Sequence, residues 1–307
     1  MTFAKDFGQR IFPPESSNKS EMKLRGTWMT LLMACFWPAA AFAQLQLVPD
    51  KEPQSVFAGD ARTVTVVWHN AGDNTVDAEI RARILQTSSA TAILRSDNPW
   101  KRLSVPADET ILESAQLNFP TVKAETKFLV QWLENSNSII GKTEVLVYPT
   151  NLLADLKPLA DDEALGVLDP LNQLKPLLKN LKLTFTDLEN FDLEDFSGRL
   201  AIIGPFQSQA KMRDGLADQI KALAKKGAAV VWIQPPSAHT GKLQPSFYTV
   251  WVNTNVVAVV QPELVANLPE NPQSQLNLIY LCKLALNPQP PALPSLPPSL
   301  EISKDLQ

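Results

Sequence analysis

Between residues 45 and 149 apolar and polar positions alternate with a period of two. In Arg62 to Asn70, the side chains of Val64, Val66 and Trp68 fall on one face and those of Thr65, Val67 and His69 on the other. Ala71-Gly72-Asp73-Asn74 is a turn signal. The next strand, Val76 to Gln86, turns Ile80, Ala82 and Ile84 inward and Glu79, Arg81 and Arg83 outward. Leu103 to Pro106 and Thr110 to Phe119 add extended segments. Thr126 to Glu134 sets Phe128, Val130 and Trp132 on one face, and Asn135-Ser136-Asn137 turns the chain into Ser138 to Tyr148. About seven short strands in roughly 100 residues predict an antiparallel β-sandwich.

The pattern changes after Tyr148-Pro149. Residues 151–163 form a connector with room for a short helix. Continuous apolar runs now replace alternation: Ala164 to Asp169, Leu183 to Thr186, Arg199 to Gly204, Ala228 to Ile233 and Asn255 to Gln261. Between them lie helical spacings. Leu171 to Asn180 carries Leu174, Leu177 and Leu178, with Pro176 shortening or kinking it. Gln209 to Lys226 places Met212, Leu216, Ile220 and Leu223 on one face, with Gly227 as its C-terminal stop. Asn271 to Leu286 is a last helix with Leu276, Ile279, Tyr280 and Leu284 inward. Strands buried on both faces and alternating with helices predict a three-layer α/β arrangement around a parallel sheet. The chain is thus read as two-domain, with the sandwich over residues 44–149 and the α/β domain over 150–286.

Ahead of both lies an export pattern. Lys23 and Arg25 precede the apolar run Trp28 to Trp37, and Ala39-Ala40-Ala41-Phe42-Ala43 supplies small residues at Ala41 and Ala43 for cleavage before Gln44. Residues 22–43 are read as a cleaved secretory signal, Met22 as the start of translation, and residues 1–21 as lying upstream of it. The apolar run is shorter than the ~20 residues that a spanning helix needs, so no stable membrane span is expected after cleavage. The location expected is secreted or periplasmic. The alternative is a lipoprotein anchored through Cys35, because Leu32-Met33-Ala34-Cys35 loosely resembles a lipobox.

Composition narrows the function. The 307 residues carry 28 basic and 32 acidic side chains, a net charge of −4. That excess of acid argues against a nucleic-acid partner, which calls for a basic surface. Two cysteines and two histidines exclude zinc fingers, iron–sulfur clusters and disulfide scaffolds. Removal of the leader leaves Cys282 alone and therefore no intramolecular disulfide. The 25 prolines outnumber the 11 glycines. Six prolines lie in Asn287 to Pro298, so residues 287–307 are read as a proline-rich tail, either free or laid down as an extended arm.

Two resemblances follow from these residues. The strand spacing over residues 45–149 resembles the immunoglobulin-like domains attached to bacterial extracellular proteins, without a Cys…Trp…Cys set. Leu200-Ala201-Ile202-Ile203-Gly204-Pro205, the helix ending at Lys225-Lys226-Gly227, and Ala229-Val230-Val231-Trp232-Ile233 resemble the class I glutamine-amidotransferase-like fold, a flavodoxin-like three-layer arrangement, over residues 163–286. An active amidotransferase has a cysteine on a glycine-flanked elbow, with a histidine and a carboxylate as partners. Here Gly204-Pro205-Phe206-Gln207-Ser208 follows Ile203, with no cysteine. The resemblance therefore implies a catalytically degenerate domain.

Nothing else supplies the chemistry. Cys282 sits inside the last amphipathic pattern, as a small buried hydrophobe would. Ser208 or Ser237 with His239 lacks the G-x-S-x-G elbow that exposes a nucleophile. Asp161-Asp162-Glu163 and the group Asp187, Glu189, Asp192, Glu194 and Asp195 fall in polar connectors, where solvated loop faces are expected. There is no calcium loop, GxGxxG motif or phosphate loop. No catalytic residue, metal or cofactor is assigned. If a ligand binds the α/β part, it belongs at the C-terminal edge of the sheet, where Asp169, Gly204, Gln207 and Gln234 converge. In the sandwich, Trp68 and Trp132 are in phase with the core. Trp100 follows Asn98-Pro99 in what reads as a loop and is the candidate exposed platform for a sugar. The expectation is a non-catalytic exported binding or accessory protein with a carbohydrate or an envelope protein complex as partner. The competing reading is a hydrolase using carboxylates or a serine at the sheet edge, and a third is a structural subunit of an envelope complex.

Overall fold

Residues 45–148 form eight strands: β1 (Leu45–Val48), β2 (Gln54–Phe57), β3 (Gly59–Asn70), β4 (Val76–Thr87), β5 (Ala92–Val105), β6 (Thr110–Phe119), β7 (Thr126–Glu134) and β8 (Ser138–Tyr148). Of these, β1, β2 and the first part of β5 are not among the expected strands. They make two sheets, of order β1-β3-β6 and β2-β8-β7-β4-β5. All pairings are antiparallel except β2 with β8. The inward residues of both sheets share one core, in which Val64, Val66 and Trp68 meet Ile80, Ala82, Ile84, Phe128, Val130 and Trp132. Each fully buried aliphatic or aromatic side chain there contributes roughly 1.5–3 kcal/mol relative to exposure. The indole N–H of Trp132 donates to Thr143 Oγ1 at 3.0 Å, so this buried polar group is satisfied. The N-terminal region is therefore all-β.

This computed structural model describes residues 44–134, 138–161, 163–236 and 245–288. The leader with Cys35, the Asn135-Ser136-Asn137 turn, Asp162, Ser237, His239 and the proline-rich tail from residue 289 onward lie outside the described residues.

The remaining strands are β9 (Leu165–Leu168), β10 (Phe185–Asp187), β11 (Leu200–Ile203), β12 (Ala229–Ile233), β13 (Phe247–Val252) and β14 (Asn255–Val260). They form one sheet of order β10-β9-β11-β12-β14-β13. Counted within this region the order begins 2-1-3-4, as in doubly wound sheets, with the switch point between β9 and β11. All four residues of β11 are buried, as its unbroken apolar run requires. The helices are α1 (Leu156–Leu159), α2 (Lys175–Asn180), α3 (Leu216–Lys225) and α4 (Pro272–Leu286). One face of the sheet packs on α1, α2 and α4, and the other on α3. Both regions fall in a single compact unit, in which α4 also touches β2.

Several expectations change. The sheet is mixed, because the edge strand β13 runs antiparallel to β14. β13 is not among the expected strands; it follows directly on the proline-containing stretch that ends at Ser246. The helix expected from Gln209 begins only at Leu216. A short 3-10 turn occupies Gln209–Lys211, and Gly215 at φ +70° separates the two. The helix expected from Leu171 likewise starts at Lys175. On α4 the expected inward set is wrong in part: Tyr280 is 56% exposed, while Leu278, Leu281 and Cys282 are buried. Leucines surround this helix, so spacing alone does not orient it. Its rotation is fixed instead by Ser274, whose hydroxyl donates to the Ala266 carbonyl at 2.6 Å, and Gln275, whose amide donates to that of Leu268 at 2.8 Å.

Candidate ligand-binding site

Strand β5 is the free edge of its sheet, and two irregularities in its pairing with β4 shape what it presents. Ile80 pairs with Lys101 but Arg81 pairs with Pro99, so Trp100 is an extra residue. Ile84 pairs with Ser96 but Leu85 pairs with Leu94, so Arg95 is a second one. A bulge of this kind re-aims side chains at a sheet edge. Here it returns Trp100 to the core face. The expectation of a loop at Trp100 is therefore corrected: the tryptophan lies in a strand, half-buried and packed against the core. Its ring stacks on Trp68 with centroids 6.5 Å apart and planes at 29°, and meets Trp132 at 5.0 Å.

β6 is the facing edge of the smaller sheet. Lys101 Nζ reaches across to Glu113 at 2.8 Å and ties the two edges together. Beyond that tie they part and leave a cleft of about 620 Å³. Its apolar part includes Ala82, Ile84, Trp100, Leu117 and Phe119, and its polar part Asp60, Arg95, Ser96, Asn98, Gln116 and Asn118. Three of these polar side chains are held from behind. Gln116 Nε2 donates to Thr63 Oγ1 at 2.9 Å, Asn118 Oδ1 accepts from the Ala61 N–H at 2.8 Å, and Arg95 Nε donates to Gln86 Oε1 at 2.9 Å. Each keeps further hydrogen-bonding capacity: a carbonyl oxygen on Gln116, an NH2 on Asn118 and N–H groups on Arg95. The cleft thus brings a half-buried indole and the polar edges of two strands together, a mixed lining that suits a ligand with both apolar and hydroxyl-bearing faces.

Of the residues expected at the C-terminal sheet edge, Asp169, Gly204 and Gln234 directly follow β9, β11 and β12 and Gln207 lies in the loop after β11, but they do not converge on one site. Asp169 is fully buried, and its Oδ2 accepts the N–H groups of Leu174 at 2.7 Å and Lys175 at 3.0 Å. It thereby caps the entry to α2, while its Oδ1 is buried without a hydrogen-bond partner among the described residues. Gly204 has φ +98°, and a Cβ there would sit 2.4 Å from the Ile233 carbonyl oxygen, so backbone packing explains this glycine. Gln207 is exposed. Gln234 turns towards Tyr248 and Gln261, with contacts of 3.5 and 3.4 Å.

Beside Asp169 lies a charged group that sequence reading assigned to solvent. The Lys175 ammonium, its side chain only 8% exposed, contacts Asp187 at 2.8 Å and Glu189 at 2.5 Å. Burial opposes its charge, but the hydrogen bonds it donates to the two carboxylates outweigh that and raise its pKa. The same hydrogen bond to Lys175 lowers that of Asp187, against the effect of burial. Cys282 is wholly buried, and burial pushes its thiol well above the ordinary range.

Sequence reading named Trp100 but missed Arg95, Asn98, Gln116 and Asn118. Their only signal is alternation: Gln116 and Asn118 interleave with the core residues Ala115, Leu117 and Phe119.

No family model matches the chain, and no curated protein matches it. Among solved structures, the alkylpurine DNA glycosylase AlkC of Pseudomonas fluorescens is similar over 34% of this chain and 31% of its own, at 12% identity and a TM-score of 0.28. A β-glucosidase from Listeria innocua is similar over 34% of this chain and 16% of its own, at 15% identity and a TM-score of 0.25. The chaperone–tip adhesion subunit complex CsuC–CsuE of Acinetobacter baumannii matches 36% of this chain and 58% of its own, at 13% identity and a TM-score of 0.25. The chain thus spans less than two thirds of each of these proteins. At these scores none of the three assigns a fold family or an activity to it.

Proposed function

We propose that this chain is an exported, non-catalytic binding or accessory protein whose immunoglobulin-like β-region holds a carbohydrate in the cleft beside Trp100. In this reading the α/β part is a degenerate amidotransferase-like layer that serves as a scaffold. The observation that carries the reading is a half-buried indole, placed by a bulge, in a cleft whose lining also takes in polar residues of both edge strands. Sugar rings present C–H faces that lie against an aromatic ring, and equatorial hydroxyls that bond to amides at its rim. Anchored side chains lose little freedom on binding, which favours affinity. The signal pattern over residues 22–43 supports export into a compartment where glycans are met.

The test is a glycan array followed by calorimetry on the best ligands. The protein is expected to bind a glycan family, and Trp100→Ala to weaken that binding by at least about tenfold, since stacking on an aromatic side chain contributes on the order of 1–3 kcal/mol for a nucleobase. Full-affinity binding by Trp100→Ala, or no binding to any glycan, contradicts the reading.

A further inference from the structure

The outer strands of the three sheets are guarded in different ways. β1 and β2 are four residues long, and β10 is three. β5 is broken by its bulges and carries Arg95, Lys101 and Arg102, and β6 carries Glu113. Shortness, bulges and charge each keep an edge from pairing with another chain. β13 has none of them. It runs for six residues in unbroken register with β14, and among the described residues nothing pairs with its other side. Tyr248, Val250 and Trp251 stand exposed on it, and no charged residue occurs between Lys242 and Glu263.

The hydrogen-bonding phase of this edge follows from one contact. The Gln261 N–H donates to the Ser246 carbonyl at 2.9 Å. Bonded pairs alternate along an antiparallel ladder, so Tyr248, Val250 and Val252 turn their backbone groups towards β14. Phe247, Thr249 and Trp251 turn theirs outward. Their side chains share the α4 face, where the Phe247 ring meets that of Tyr280 edge-on at 6.3 Å.

We propose that β13 is a dimerisation edge, which pairs antiparallel with β13 of a second copy and continues the sheet across both. A two-fold axis normal to the sheet keeps like faces together, and the outward backbone groups centre it on Thr249. Thr249 then opposes Thr249 of the second copy, Phe247 opposes Trp251, and Tyr248 opposes Val250. These are Thr–Thr, aromatic–aromatic and aromatic–β-branched pairs, the cross-strand combinations that stabilise a sheet. Each exposed apolar side chain of the strand thereby gains an apolar neighbour, as a self-complementary interface requires. Charge favours the same occupant. Two copies of net charge −4 repel each other least where the contact is uncharged, whereas a basic partner would call for acidic residues on this edge, and it has none. The proposal is independent of the carbohydrate cleft.

Light scattering over a dilution series up to about 1 mM, where even weak association shows, tests it. The mass is expected to rise with concentration from one chain to two. Thr249→Lys and Thr249→Glu each put like charges face to face at the axis, and each should weaken the dimer by at least about tenfold. Mixing the two variants should restore it, because Lys then faces Glu. Thr249 is exposed, and near-UV circular dichroism of dilute samples checks that both variants are folded. A chain that stays monomeric throughout overturns the proposal and leaves the edge to a different protein. A dimer indifferent to both substitutions, or a mixture no tighter than either variant alone, overturns it as well.

Discussion

Oδ2 of Asp169 accepts the backbone N–H of Leu174 at 2.7 Å. That bond, with its companion to Lys175, turns the carboxylate away from solvent and into the start of α2. Asp169→Ala is expected to cost about 1–2 kcal/mol of stability, the usual loss for a helix cap. Asp169→Asn should cost less, because its amide oxygen still accepts while its NH2 takes the place of the unpaired Oδ1. Urea unfolding of both variants gives the comparison, and glycan affinity should be unchanged in either.

Gly204 is expected to tolerate no side chain. Its φ of +98° disfavours any L-residue, and the Ile233 carbonyl fills the space where a Cβ would stand. Gly204→Ala should destabilise by about 1–3 kcal/mol from the backbone alone, with the contact adding to that. The midpoint of thermal unfolding measures it.

The ion pairs of Lys175 make stability depend on pH at both ends. Asp187 has a lowered native pKa, so its contribution is present above its ordinary value of 3.8 and is lost as pH falls through the native one. Lys175 has a raised native pKa, so its contribution is present below the ordinary value of 10.5 and is lost as pH rises through the native one. The stability gap between the parent protein and Lys175→Met should be widest and flat from about pH 5 to 9 and narrow outside that window. Urea midpoints across pH 3 to 11 report it.

Cys282 should behave as a core residue. In a Cys35→Ser background it is expected to resist a thiol reagent in the native state and to react at once in denaturant, because only the exposed thiolate is nucleophilic. Rapid native labelling would place it at a surface and contradict its burial against the sheet.

Much of the fold was legible because burial on one face or on two leaves different periods. Val64, Val66 and Trp68 announced a half-buried strand, and Leu200-Ala201-Ile202-Ile203 a strand covered on both sides. β5 was not legible over most of its length. Its middle reads Arg95-Ser96-Asp97-Asn98-Pro99, and it is extended only because β4 pairs with it past two bulges. A bulge belongs to the pair of strands, so neither sequence contains it alone. The same limit hid the site. Arg95 and Trp100 are its bulge residues, and the amides opposite them come from a strand whose outward positions look like ordinary surface. Asp169 and Gly204 stood out in the sequence for another reason: strand ends need caps and close approaches as much as binding sites do.

The carbohydrate cleft is tested most directly by the indole and side-chain amide resonances of the 15N-labelled protein, titrated with the tightest-binding glycan of the panel. The Trp100 indole N–H, assigned through Trp100→Phe, should shift together with the amides of Asn98, Gln116 and Asn118. Shifts confined to Gln207 and Gln234 at the edge of the α/β sheet would contradict the account.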